Sequence, residues 1–356
     1  MSAPNRAVLR FLASIGRPVE AELYLSLYRA ERPEAFAVIS VDPEVMGVAG
    51  DALAVDLEFL AELGLSPILA LGGAEQAAQL AGGLARLVEA ADPAGAAEIA
   101  RRGRIPIVLC AGDGDLAALA AAVATRKVVL LGSHARIVRG GEAISIVDVT
   151  SEYDELVAPG ALSPAHRRLL ERARALLDGV PHPMAVAVTS PLDLLRELFT
   201  VRGAGTLVRR GTQVSVHTDL AAVDRARLAA LVEAAFGRAL RSDFFARPIE
   251  RIYIAGDYRG AAVVSPSTHG AYLTKLAVDA PARGEGIGRD LWRALTRDIP
   301  TFYWRARSDN PIASWYQEQC DGMAKRGAWR IYWRGLEPAH IPAAVAAAEA
   351  APVDFD

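Results

Sequence analysis

The loop RGEGIG (283–288) stands between an apolar run at 271–278 and a leucine-bearing stretch from residue 291. A glycine-rich loop that follows a strand and opens a helix aims backbone N–H groups at an anion. The helix N-terminus adds a partial positive charge there, and glycines let a pyrophosphate approach the backbone. Read alone, the loop is weak evidence. G-x-G-x-x-G is not satisfied, no βαβ unit follows, and a tight turn without a ligand explains the same residues. Two further groups could do chemistry. Lys275, Arg305 and Arg307 put cations on two candidate central strands, with 305 and 307 on one face at the strand period of two. Arginine forks can bind carboxylates at two points. In NPIASWY (310–316), Tyr316 offers a phenol and Asn310 a carboxamide. Taken singly, the arginines also read as a solvated strand face and Tyr316, after Trp315, as packing.

Periodicity predicts the elements that position these residues. Residues 36–41 are a short apolar run, 51–63 repeat at helical spacing, and 66–73 form a second apolar run ending in glycines. Strand, helix, strand and glycine-rich turn make the βαβ unit of a parallel sheet. Apolar runs at 104–112 and 126–133 repeat the theme around an alanine-rich helix over 116–124. A helix over 162–177, a run at 184–190 and a helix over 191–199 extend the same α/β domain. Ahead of it, Val8, Leu9, Phe11 and Leu12 fit an inward-facing helix. The alternative is a transit peptide carrying Arg6, Arg10 and Arg17. Residues 221–240 predict a helix that bridges to, or opens, a second domain. Beyond it the texture changes to an antiparallel hairpin over 251–265 turning at 256–258, a strand at 271–278, a helix over 291–297, a strand at 301–307, a helix over 314–319 and a closing strand at 329–336.

The order strand, R-G-x-G-x-G, leucine-rich helix resembles the acetyl-CoA motif of the GNAT acetyltransferase superfamily. That resemblance implies that Leu276, Ala277 and Val278 meet the pantetheine arm and that Arg283, Gly284, Glu285, Gly286, Ile287 and Gly288 hold the pyrophosphate. YLTKLAV, the arginine pair of WRAR, NPIASWY and WRIYWRGL are similar to the acetyltransferase domain of the N-acetylglutamate synthase family, vertebrate and fungal type, over 221–336. L-glutamate is then the implied acceptor. Lys275, Arg305 and Arg307, with Tyr272 on the strand of Lys275, form the candidate acceptor-binding set. Tyr316 becomes the thiol-orienting donor or general acid and Asn310 a polar positioner. The chain departs from the family pattern at Thr274, where an acid is usual, and at Ala313-Ser314, which replace a more polar pair containing proline.

Residues 8–215 resemble the amino-acid-kinase domain fused to that acetyltransferase, through FLASIG, FAVISV, GLSPILALGG, SEYDELV and TSPLDLLRELFTVRGAGTLVRRG. Where active members carry a phosphate-binding lysine and paired glycines, this chain has Ser40, Asp42 and Pro43. Phosphoryl transfer needs positioned cations and N–H donors, and proline removes a donor. The stretch 84–101 is shorter than in the family. The expected domain is therefore kinase-like, shortened and catalytically dead, its ends kept where arginine binds in inhibited relatives.

The expected architecture is α/β: a parallel-sheet amino-acid-kinase-like domain over 1–215, an α+β GNAT domain over 216–340 and a tail over 341–356. At 356 residues, 52% hydrophobic and 23% charged, the chain can bury two cores. A net charge of −3 argues against a general polyanion binder, so nucleic acid is not an expected partner. Cys110 and Cys320 alone suggest neither disulfides nor a metal site, and a cytoplasmic setting without membrane attachment is expected. The co-substrate is acetyl-CoA with no metal. Arginine as effector, a homo-oligomer and a separate acetylglutamate kinase complete the expected partners. Two other readings stay open: a weakly catalytic regulatory partner of such a kinase, and an acetyltransferase for another amine.

Overall fold

A computed structural model describes residues 18–31, 36–200, 203–279 and 286–356. The sequence expectations for the first helix and for Arg6, Arg10 and Arg17 lie outside the described residues. The chain packs as two compact units, Met1–Arg210 and Gly211–Asp356.

In the first unit α1 (Pro18–Glu31) leads to β1 (Val38–Val41), α2 (Pro43–Glu62), β2 (Ile68–Leu71), α3 (Ala74–Leu84), β3 (Val88–Ala91), α4 (Ala96–Arg101), β4 (Ile105–Leu109), α5 (Asp113–Ala122) and β5 (Lys127–Leu131). A hairpin of β6 (Ile137–Arg139) and β7 (Glu142–Ile144) follows. After it come β8 (Ile146–Asp148), α6 (Tyr153–Val157), α7 (Pro164–Asp178), β9 (Ala185–Thr189), α8 (Leu194–Phe199) and β10 (Thr206–Arg209). Eight strands form one sheet in the order β3-β4-β2-β1-β5-β9-β10-β8. The pairs are parallel except that β10 runs against β9. Strands buried on both faces read as near-continuous apolar runs, which is why β2 is unbroken and β1 and β5 are interrupted only by Ser40 and the leading Lys127. Ile39, Leu69 and Val129 face a core with α1, α2, α3 and α8; Val38, Ile68 and Val128 face one with α5, α6 and α7.

The second unit contains β11 (Val214–His217), α9 (Arg225–Phe236), β12 (Arg251–Ala255), β13 (Gly260–Ser265), β14 (Ala271–Val278), α10 (Ile287–Asp298), β15 (Phe302–Arg307), α11 (Ala313–Gln319), β16 (Gly322–Arg326), β17 (Trp329–Arg334) and α12 (Ile341–Ala350). Its seven strands run β11-β12-β13-β14-β15-β17-β16. All neighbours are antiparallel except β14 and β15. Residues of α10 and α11 cover one face, through Leu291, Trp292 and Tyr316 on Trp304 and Tyr332. The opposite face is covered by α9, through Leu228 and Val232, and by α12.

Three expectations need correcting. The helix placed over 221–240 is shorter, started by the Asp224 side chain and ended by Gly237 at φ 65°, and of its two readings, bridge or opening helix, the second holds, since it lies within the second unit. The second unit begins earlier than residue 216, because β11 pairs with β12. Residues 341–356 are no detached tail. Ala344, Val345 and Ala348 recur at helical spacing and bury against Tyr303 and Ile331.

Candidate active site

The ladder between β14 and β15 joins Ala271, Tyr272 and Leu273 to Phe302, Tyr303 and Trp304. Beyond those pairs Lys275–Val278 stays with β13 and Arg305–Arg307 with β17, so the facing edges part. Two parallel strands that separate inside a sheet leave an opening through it, edged by backbone groups that a ligand can pair with.

A β-bulge gives this opening two chemically different sides. Val263 pairs with Lys275 and Val264 with Leu273, which leaves Thr274 as an extra residue. The bulge inverts the alternation along β14. Leu273, Leu276 and Val278 face the α10 core, whereas Tyr272 packs on the α12 face and Ala277 in the α9 core. Lys275 pairs with a residue beyond α12, on that second face.

On the α10 side, Gly286 sits at φ 83°, a left-handed conformation that favours glycine, and brings no side chain to cap the helix. First-turn amides have no partner within their own helix, so Ile287 and Gly288 stand where an anion is favoured. A Cβ on Gly260 would lie 2.8 Å from Ile287 and 2.9 Å from Leu291, so this glycine lets α10 sit directly on β13. Leu276, Val278, Gly286, Ile287 and Gly288 are thus brought together. Ala277 points the other way, and Arg283, Gly284 and Glu285 lie outside the described residues.

Across the sheet, Lys275, Arg305 and Tyr272 gather. Lys275 is 5% exposed and ion-paired with Asp354, which also meets Arg247 at 2.6 Å. Burial pushes the lysine ammonium below its ordinary range, and the Asp354 carboxylate opposes that shift only in part. Arg305 donates to the carbonyls of Ala348 at 2.9 Å, Glu349 at 3.3 Å and Pro352 at 2.9 Å. Its guanidinium lies 4.3 Å from the Trp329 ring centroid, with Arg307 at 5.7 Å on the same ring. Arg307 is exposed and pairs with Asp309 at 3.7 Å. Tyr272 packs on Tyr303, ring centroids 5.1 Å apart. Sequence reasoning missed Asp354, Arg247 and Trp329. The aromatic directly opposite Arg307 in the β15–β17 ladder was the one available signal for Trp329.

Tyr316 lies on the α10 face, buried among Trp304 at 5.6 Å, Tyr332 at 5.5 Å and Trp315 at 5.5 Å. Burial drives its phenol well above the ordinary value, with the Tyr332 ring adding to the rise, so it holds its proton at neutral pH. Asn310 accepts from the Ile312 amide at 2.9 Å and its own carbonyl accepts from Ala313 at 3.1 Å. Those bonds start α11 and so aim Tyr316.

At the end of β1 in the first unit, Asp42 accepts from the Glu44 amide at 3.1 Å and Pro43 opens α2. A fixed carboxylate already fills that helix N-terminus. Arg172 pairs with Asp113 at 2.6 Å and reaches Ser40 Oγ at 3.4 Å. Among the described residues no group of His, Cys, Asp and Glu is placed to hold a metal, and no helix is long and apolar enough to cross a membrane.

Residues 215–350 match the family model described as NAT, N-acetyltransferase, of N-acetylglutamate synthase. The chain is similar to an acetylglutamate kinase of Xanthomonas campestris, 34% identical over 66% of this chain, and spans 60% of that protein's length. Similarity to human mitochondrial N-acetylglutamate synthase is 29% over 94% of this chain and 76% of the human one. N-acetylglutamate synthase from Neisseria gonorrhoeae, solved with coenzyme A and N-acetylglutamate, aligns at a TM-score of 0.52 and 17% identity over 89% of this chain and 98% of that one. Its complex with coenzyme A and L-arginine aligns at 0.51. The second unit, with its parted strands and glycine-started helix, is thus the part of the chain that matches the N-acetyltransferase model of N-acetylglutamate synthase, on a chain whose first unit has an amino-acid-kinase-like fold.

Proposed function

We propose that this chain is an N-acetylglutamate synthase, moving acetyl from acetyl-CoA to the amino group of L-glutamate on the route to arginine. The observation that carries the reading is the opening between β14 and β15, with an anion-favouring helix start and a protonated tyrosine on one side and carboxylate-binding cations on the other. Leu276, Val278 and the amides at Ile287 and Gly288 hold the CoA arm and pyrophosphate. Lys275, Arg305 and Arg307 take the acceptor's two carboxylates, which fixes its nitrogen beside the thioester. The deprotonated amine attacks the thioester carbonyl, a C–N bond forms, and the C–S pair leaves on sulfur. The nitrogen's proton passes to water, which a backbone carbonyl can orient by accepting a hydrogen bond. Tyr316 donates a hydrogen bond to the departing thiolate. A phenol above its ordinary pKa of about 10 does not give its proton away to a thiolate whose conjugate acid lies near about 8.5.

Purified protein is expected to release CoA with glutamate and acetyl-CoA, and Arg305→Ala to raise the glutamate KM about tenfold or more with kcat less affected. No release at millimolar glutamate would sink the assignment.

We also read the first unit as kinase-dead, against the name borne by its Xanthomonas relative. Ser40 stands where a lysine is needed, Asp42 adds a charge that repels phosphate, and Pro43 lacks an N–H. With ATP and N-acetylglutamate, hydroxylamine trapping should yield no hydroxamate; a positive signal would overturn this reading. Arginine remains the proposed effector and a homo-oligomer the proposed assembly, with a separate acetylglutamate kinase as a partner to be tested by co-purification. Of the expected arginine site, residues 1–17 are not described, and the Glu197 carboxylate beside 203–205 is held by Lys127. Two cysteines outside any disulfide fit a reducing compartment, which we take to be the cytoplasm.

A further inference from the structure

Residues 348–356 lie on the cations assigned above to the acceptor. Asp354 takes the Lys275 ammonium, and the carbonyls of Ala348, Glu349 and Pro352 take the Arg305 guanidinium. The segment is docked in register. The Arg241 amide donates to the Asp354 carbonyl at 3.0 Å, the Asp356 amide to Ala239 at 3.1 Å, and Leu240 forms a β-bridge with Phe355. The Phe355 ring packs 5.1 Å from Phe236 and 5.0 Å from Lys275 Nζ. Val353, by contrast, is 64% exposed. The segment therefore lies along the surface and inserts Asp354 and Phe355.

A carboxylate on Lys275 and carbonyl oxygens on Arg305 are the contacts an acceptor with two carboxylates would make. Both sets cannot form together, because Lys275 is 5% exposed with Asp354 in place. Removing Asp354 leaves Lys275 as an unpaired, poorly hydrated cation and Arg247 with Asp243 as its remaining carboxylate, a cost that an incoming dianion offsets. We propose that residues 352–356 are an internal competitor of the acceptor, docking Asp354 on Lys275 until a dicarboxylate displaces it. The proposal rests on the reading that Lys275 and Arg305 bind the acceptor.

A ligand that binds only the undocked state sees its apparent affinity reduced by the undocked fraction. A segment docked nine-tenths of the time raises the apparent KM about tenfold. In the full-length chain, Phe355→Ser loosens docking without changing charge, and Asp354→Asn removes the competing carboxylate. Both are expected to lower the glutamate KM, by up to about tenfold at that occupancy, with the acetyl-CoA KM unchanged. In the wild-type chain, saturating glutamate should speed hydrogen exchange at the Arg241 and Asp356 amides, which bond across the docked segment. An unchanged or raised glutamate KM in Phe355→Ser, with those amides equally protected at saturating glutamate, overturns the proposal. Should the wild-type chain release no CoA with glutamate, the acceptor assignment falls and exchange still decides here. Faster exchange with glutamate or glutarate supports the competition, and exchange unmoved by either refutes it.

Discussion

Tyr316→Phe is expected to lower kcat for acetyl transfer to glutamate about a hundredfold while moving the glutamate KM by less than about threefold. The substitution keeps the ring, so the packing on Trp304, Tyr332 and Trp315 survives and an unchanged melting temperature would show it. What goes is one hydrogen bond, aimed at charge that develops only as the C–S bond breaks. Removing a donor to developing charge costs about 3 kcal/mol in water-excluded sites. Single-turnover kinetics isolates that step from product release. A rate within a few-fold of wild type would assign Tyr316 to packing alone.

Lys127→Met is expected to destabilise the first unit by about 3 to 5 kcal/mol. Lys127 pairs with Glu197 at 3.1 Å, and the Glu197 side chain is only 4% exposed. The same carboxylate accepts from the Ala204 amide at 2.8 Å and the Gly205 amide at 3.0 Å. Burial alone would push this carboxyl up, but Lys127 and the two amides together hold it below its ordinary value. A depressed folded-state pKa contributes stability above the unfolded value, near about 4.3, that is lost as pH falls through the folded one. The gap between wild type and Lys127→Met in urea denaturation should therefore be widest at neutral pH and narrow in acid. Lys127→Met/Glu197→Gln should recover part of the loss. If the single variant matches wild type at pH 7, the pair contributes nothing net.

The sequence was most legible where burial imposes a period. The strand at 271–278 coincides with β14, and the hairpin turn at 256–258 lies between β12 and β13, with Gly256 and Tyr258 at positive φ. Shorter and partly exposed strands such as β3 and β16 carry too few apolar residues to show a pattern and were missed. For the site, the shared face of Arg305 and Arg307 followed from spacing, because β15 is regular. The partner of Lys275 did not. Asp354 lies 79 residues downstream in a stretch without periodicity, so only tertiary structure joins them. Family resemblance makes Asn310 a polar positioner, and the bond from the Ile312 amide to its carboxamide oxygen, in the turn that starts α11, was not legible in the sequence. A side chain's local backbone bonds are hidden from a reading by residue type.

The extra residue at Thr274 has a consequence for how this chain can change length. In a regular strand, inserting or deleting one residue moves every later side chain to the other side of the sheet. Here that exchange is already built in. Deleting Thr274 would restore plain alternation between Leu273 and Lys275 and leave the ammonium on the face it already occupies, because neighbours in a regular strand point to opposite sides. Insertions in the connection ahead of Ala271 leave this parity untouched. Between Leu273 and Val278 the strand can therefore lose one residue and keep its two faces, whereas one further residue paired regularly would exchange them, and homologous chains can be compared on that count.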